Sequence, residues 1–101
     1  MKEILYREIP TPDSIAVCQW LQSDWQPANG VKTNTPNGVR LRLSEAIELS
    51  IFVWTLQRTT YLKVFRWGER SHDLETSLTQ QLDRALQKRF PPQFSTIPNI
   101  D

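Results

Sequence analysis

At 101 residues the chain has room for one domain and one modest core, since domains typically span about 50–250 residues. Apolar residues at 39% and charged residues at 23% describe an ordinary folded protein, and a net charge of +1 lacks the basic excess of a dedicated nucleic-acid binder. One cysteine excludes an internal disulfide or a multi-cysteine zinc site, and one histidine removes most catalytic and metal constellations.

What remains distinctive is aromatic content: four Trp, four Phe and two Tyr in so short a chain. The opening residues, Met1 to Glu8, are charged throughout and unsuited to the apolar stretch of a signal peptide. No window approaches the roughly 18 apolar residues of a membrane span. A cytoplasmic protein with one reduced thiol is therefore expected.

Thr11-Pro12-Asp13-Ser14 has the form of a helix start, with Thr11 as cap, Pro12 at the first helical position and Asp13 in the first turn. The helix is expected to run to about Gln22. Ile15, Cys18 and Leu21 share a face, Val17 and Trp20 lie beside it, and Ser23, Asp24 and Pro27 end the pattern. Cys18 on that apolar side has the character of a buried structural thiol.

Val31 to Thr35 and Val39 to Leu43 flank Pro36-Asn37-Gly38, which suits a turn closed by a glycine with positive φ. On the second strand Val39, Leu41 and Leu43 alternate with Arg40 and Arg42, giving one buried face and one wet face.

The strongest β signal runs from Leu49 to Leu56 and from Tyr61 to Trp67. The turn between them, Gln57-Arg58-Thr59-Thr60, carries no Asn-Gly signal. A two-residue loop at 58–59 or a four-residue loop sets Phe52 opposite Phe65 and Trp54 opposite Lys63; a three-residue loop shifts the pairing by one. Gly68 breaks the last strand. Asp73 then caps a helix from Leu74 to Phe90 whose apolar residues recur at spacings of three and four, and Pro91-Pro92 stop it. His72 is a loop or capping residue. Residues 93–101 form an extended tail on which Phe94, Ile97 and Ile100 recur every three residues, the repeat of polyproline II.

The expected architecture is α+β in order α-β-β-β-β-α: a four-stranded antiparallel meander in two layers, flanked by an N-terminal and a C-terminal helix, with residues 1–92 as one domain. Alternation sorts the long hairpin into two unlike faces. Leu49, Ile51, Val53, Leu62 and Val64 suit burial beneath helices. Phe52, Trp54, Leu56, Tyr61, Lys63, Phe65 and Trp67 point the other way and need a cover.

Three covers are open: the chain's own Ile4-Leu5-Tyr6 segment or tail, a second copy in a homodimer, or a partner protein. Core aromatics in a small domain favour the first, while the weight of Trp, Tyr and Phe at interface centres favours the last. On the last reading Phe52, Trp54, Tyr61, Phe65 and Trp67 anchor an extended peptide, and Arg58, Lys63 and Arg66 orient it through carboxylates or carbonyls. Arg40, Arg42, Lys63 and Arg66 among aromatics also suggest a single-stranded nucleic-acid platform, which the near-zero net charge disfavours. A metal-dependent nuclease built on Glu45, Glu48 and Lys63 lacks the paired acids at a strand end needed to hold Mg²⁺. No catalytic residue, metal site or cofactor is expected.

Three stretches carry a resemblance: Trp20 to Pro27, Phe52 to Gly68, and Arg89 to Phe94. They resemble the CcmS-like family of small cyanobacterial carboxysome assembly factors, and together reach across most of the chain. The resemblance implies a non-enzymatic α/β module, cytoplasmic and carboxysome-associated, whose apolar surface receives the C-terminal extension of a shell protein. It singles out no individual contact residue. An assembly factor for a photosynthetic complex is the neighbouring alternative. The ending at Asp101 looks abrupt, so a longer natural chain is expected.

Overall fold

The computed structural model describes residues 1–91. In chain order the elements are strand β1 (Lys2–Ile9), helix α1 (Ser14–Gln19) continued by a π-helical turn (Trp20–Asp24), strands β2 (Val31–Thr35), β3 (Gly38–Arg42), β4 (Ile47–Leu56) and β5 (Thr59–Gly68), and helix α2 (His72–Arg89). The strands form one antiparallel sheet in the order β1-β5-β4-β3-β2. The class is α+β as expected, with five strands rather than four. Ile4-Leu5-Tyr6 does not lie across the aromatics; it belongs to β1, which pairs with β5 and extends the sheet at its edge. The expected tail, residues 93–101, lies outside the described residues.

The sheet is built around the β4–β5 hairpin, whose β-branched and aromatic residues favour extended backbone. Its turn is Gln57-Arg58 alone, with φ of 51° and 70°, the two left-handed residues of a type I′ hairpin. Trp54 consequently pairs with Tyr61 and Phe52 with Lys63, two positions from the expected register. A shift of two preserves the side of every residue, so the division into faces survives. Leu49, Ile51, Leu62 and Val64 are completely buried together with Val39 and Leu41 of β3.

Both helices close over this aliphatic face. The N-cap of α1 is Asp13 rather than Thr11, its carboxylate accepting the Ala16 N–H at 2.9 Å. Thr11 and Pro12 are held elsewhere, because their carbonyls accept the hydroxyls of Thr60 at 2.6 Å and Thr55 at 3.3 Å. The helix ends in the π turn, where the Trp25 N–H donates to the Trp20 carbonyl at 2.8 Å. Leu21, Trp20 and Trp25 are all buried as a result. The Lys32 ammonium on β2 reaches beneath this turn and donates to the carbonyls of Leu21, at 2.7 Å, and Trp25. Burial pulls the Lys32 pKa down, partly opposed by the negative charge of Asp24.

Helix α2 starts at His72, two residues before the expected Leu74. Ser71, not Asp73, occupies the N-cap, and the Glu75 carboxylate accepts the Ser71 N–H at 3.0 Å. Leu78, Leu82 and Leu86, one turn apart, enter the core, and a two-pronged pair between Arg7 and Asp83, at 2.7 and 3.0 Å, ties the helix to β1. In the β2–β3 turn Gly38 does not take the expected positive φ. Glycine is needed there because a Cβ would collide with the Ile51 carbonyl of β4.

Two substitutions test these contacts. Gln57→Asn with Arg58→Gly relieves left-handed strain, so the double variant should gain about 1 kcal/mol, read as a higher urea midpoint; an unchanged or lower midpoint contradicts the turn geometry. Lys32→Met leaves the two carbonyls without their donor and should lose about 1–2 kcal/mol in the same assay.

Candidate partner-binding face

Strand alternation and the observed register set the second face of the sheet in cross-strand rows. Arg42, Glu48 and Trp67 form one row, followed by Arg40, Ser50 and Phe65. Phe52, Lys63 and Tyr6 form the third, and Trp54, Tyr61 and Glu8 the fourth. Leu56 closes the face at the hairpin end. Seven of the expected residues, Phe52, Trp54, Leu56, Tyr61, Lys63, Phe65 and Trp67, are thus brought together on one side.

Local contacts hold the rings upright. Tyr61 is stacked between Trp54, centroids 5.6 Å apart, and Tyr6, at 6.1 Å. Phe52 and Phe65 meet edge to face at 5.7 Å, the geometry that ring quadrupoles favour. The Trp67 indole N–H donates to the Ser50 hydroxyl at 2.9 Å. Lys63 sits among them, its ammonium 3.0 Å from Glu3 and within 6 Å of the Tyr6 and Trp54 rings.

No described element crosses this face. Leu56 keeps 57% of its surface exposed, Trp67 43% and Tyr6 39%, while Phe52, Trp54, Tyr61 and Phe65 are half-buried. The half-burial comes from ring against ring in the surface layer, so the rings do not form a second core.

The two remaining expected residues stand elsewhere. Arg66 lies on the helix side with Leu62 and Val64, where its guanidinium bonds both oxygens of Glu75 at 3.1 and 3.2 Å. It therefore cannot orient a ligand on the aromatic face, and the parity of position 66 with 62 and 64 already places it there. Arg58 is exposed at the hairpin tip, beyond the rings. Cations do flank the rings, but on β3: Arg40 contacts Glu48 at 3.2 Å and Arg42 contacts the same carboxylate at 3.9 Å.

Tyr6 is the aromatic that sequence reasoning did not assign to this face. Its phenol is pushed up in pKa by partial desolvation and then by Glu8, with smaller effects from Tyr61 and Glu3. The Cys18 thiol is half-buried rather than buried, and desolvation raises its pKa too. Among the described residues, no three His, Cys, Asp or Glu side chains converge as metal ligands, and no helix is long and apolar enough to cross a membrane.

Comparison with protein-family models, curated proteins and solved structures finds no match to this chain.

Proposed function

We propose that the chain is a non-enzymatic protein-binding module that captures an extended segment of a partner on its aromatic sheet face. The observation that carries this is the band of rings from Tyr6 to Trp67, left partly bare while the helices complete a core on the opposite side. Contiguous apolar patches of this kind on small proteins mark interaction sites, and Trp and Tyr dominate the energetics of such sites. On the resemblance described above, the segment is the C-terminal extension of a carboxysome shell protein, and the module works in the cytoplasm at the assembling carboxysome.

Two features favour a polypeptide over a nucleic acid. Tyr61 already stacks on both sides within the chain, which leaves its faces unavailable to bases. Glu3, Glu8 and Glu48 on this face match Lys63, Arg40 and Arg42 in number, so a polyphosphate meets no net attraction.

Trp54 occupies the fourth row between Tyr61 and open solvent and is the residue to test. Trp54→Ala should weaken binding of a synthetic shell-protein C-terminal peptide by about 2–4 kcal/mol in calorimetry. Its cost to folding should stay near 1 kcal/mol, the worth of one aromatic pair. Loss of cooperative unfolding in that variant makes Trp54 a core residue and overturns the site. Affinity for a single-stranded oligonucleotide that collapses between about 50 and 200 mM salt overturns the peptide reading.

A further inference from the structure

We infer that the aromatic face reads its partner segment in one direction, seating an acidic end of the segment against Arg40 and Arg42 beside Trp67. This rests on the reading of the face as a peptide dock and adds the polarity and charge of the occupant.

The shape of the strip comes first. Along β4 and β5 the strip of rings and the Leu56 side chain that closes it span from Trp67 to Leu56, about 27 Å at two residues per row, and only two strands, about 10 Å, in width. A strip of those dimensions accommodates a single extended chain of about eight residues with alternate side chains directed into the rings.

The two banks of the strip differ in charge. On the β1 side stand Glu3 and Glu8, and Glu3 is already engaged by Lys63 at 3.0 Å. On the β3 side stand Arg40 and Arg42, which share the single carboxylate of Glu48. Their side chains remain 57% and 66% exposed. Two guanidiniums supply ten N–H donors, far more than one carboxylate satisfies, and they line a concavity with Val31, Thr33 and Glu48. That concavity adjoins the Trp67 end of the strip, through the row that joins Arg42, Glu48 and Trp67.

At the opposite end the last ring row carries an acid, Glu8, and Arg58 stands beyond the rings at the hairpin tip. Glu8 pairs across from Tyr61 and accepts the Tyr6 hydroxyl at 3.4 Å. An acidic residue over the Tyr61 row meets the Glu8 carboxylate, whereas at the Trp67 end it meets two exposed arginines, whose planar forks suit a carboxylate. The preferred occupant is therefore a segment with apolar residues at alternate positions and Asp, Glu or a terminal carboxylate at one end.

The test is selection from a phage-displayed library of random octapeptides on the immobilised full chain, followed by calorimetry with the best peptide. Enriched sequences should carry alternate apolar residues and an acid confined to one end. Arg40→Gln with Arg42→Gln should weaken the best peptide about tenfold, and replacing the acid by its amide should cost the same, with no further loss when both changes are combined. Both arginines are exposed, and an unchanged urea midpoint for the double variant confirms that folding is intact. Apolar enrichment without an acidic end, or an acid whose contribution survives the arginine substitutions, overturns the polarity and leaves the dock standing. Enrichment of the same peptides by Trp54→Ala, or of none by the native chain, overturns the dock together with its polarity.

Discussion

Two ten-residue strands joined by a two-residue turn set the geometry of the whole molecule. Because side chains alternate along extended backbone, β4 and β5 present an aliphatic surface on one side and an aromatic surface on the other. The helices cover the aliphatic side, where Leu49, Ile51, Leu62 and Val64 lose all contact with solvent. Everything else is an addition to that hairpin: β1 to one edge, β3 and β2 to the other, and polar clasps at its two ends. Thr55 and Thr60 hold the entry to α1 by its carbonyls at the turn end. Near the opposite end, Arg66 holds Glu75 in the first turns of α2.

Division of labour between the two faces explains the aromatic content of the chain. Trp20 and Trp25 serve the core, meeting at 6.4 Å, and Phe90 packs edge-on against Trp20 at 5.9 Å. The aromatics of β4 and β5 join Tyr6 in a layer whose contacts are mainly with one another. Such a layer is rigid, since rings with only two side-chain torsions are locked by their neighbours, and a rigid surface loses little entropy when a partner settles on it.

The faces of the hairpin were legible from residue parity alone, and an error of two in register left them intact. The register itself was hidden because Gln57-Arg58 adopts a conformation usually signalled by Asn-Gly. β1 escaped notice for a related reason. Its register shifts between Glu3 and Leu5, so a bulge at Ile4 interrupts the alternation by which Leu5, Arg7 and Ile9 face inward and Tyr6 and Glu8 outward. Both helix starts lie two residues from their expected positions: Thr60 holds the Thr11 carbonyl and Asp13 caps α1 instead, while at α2 the Ser71 N–H is taken by Glu75 ahead of the expected cap Asp73. The involvement of Glu48 with two arginines required the β3–β4 register, which composition does not carry.

The bulge in β1 has a consequence for how this protein meets others. A sheet of five strands ends in two rows of unpaired backbone groups, each a template for another strand. At one edge the bulge breaks the regular spacing of those groups, and Lys2, Glu3, Arg7 and Glu8 add charge; at the other, β2 is a short Val-Lys-Thr-Asn-Thr. Both borders thus resist the open-ended strand addition that leads to fibres. A sheet so protected at its margins leaves its broad aromatic side, rather than its edges, as the surface open to contact.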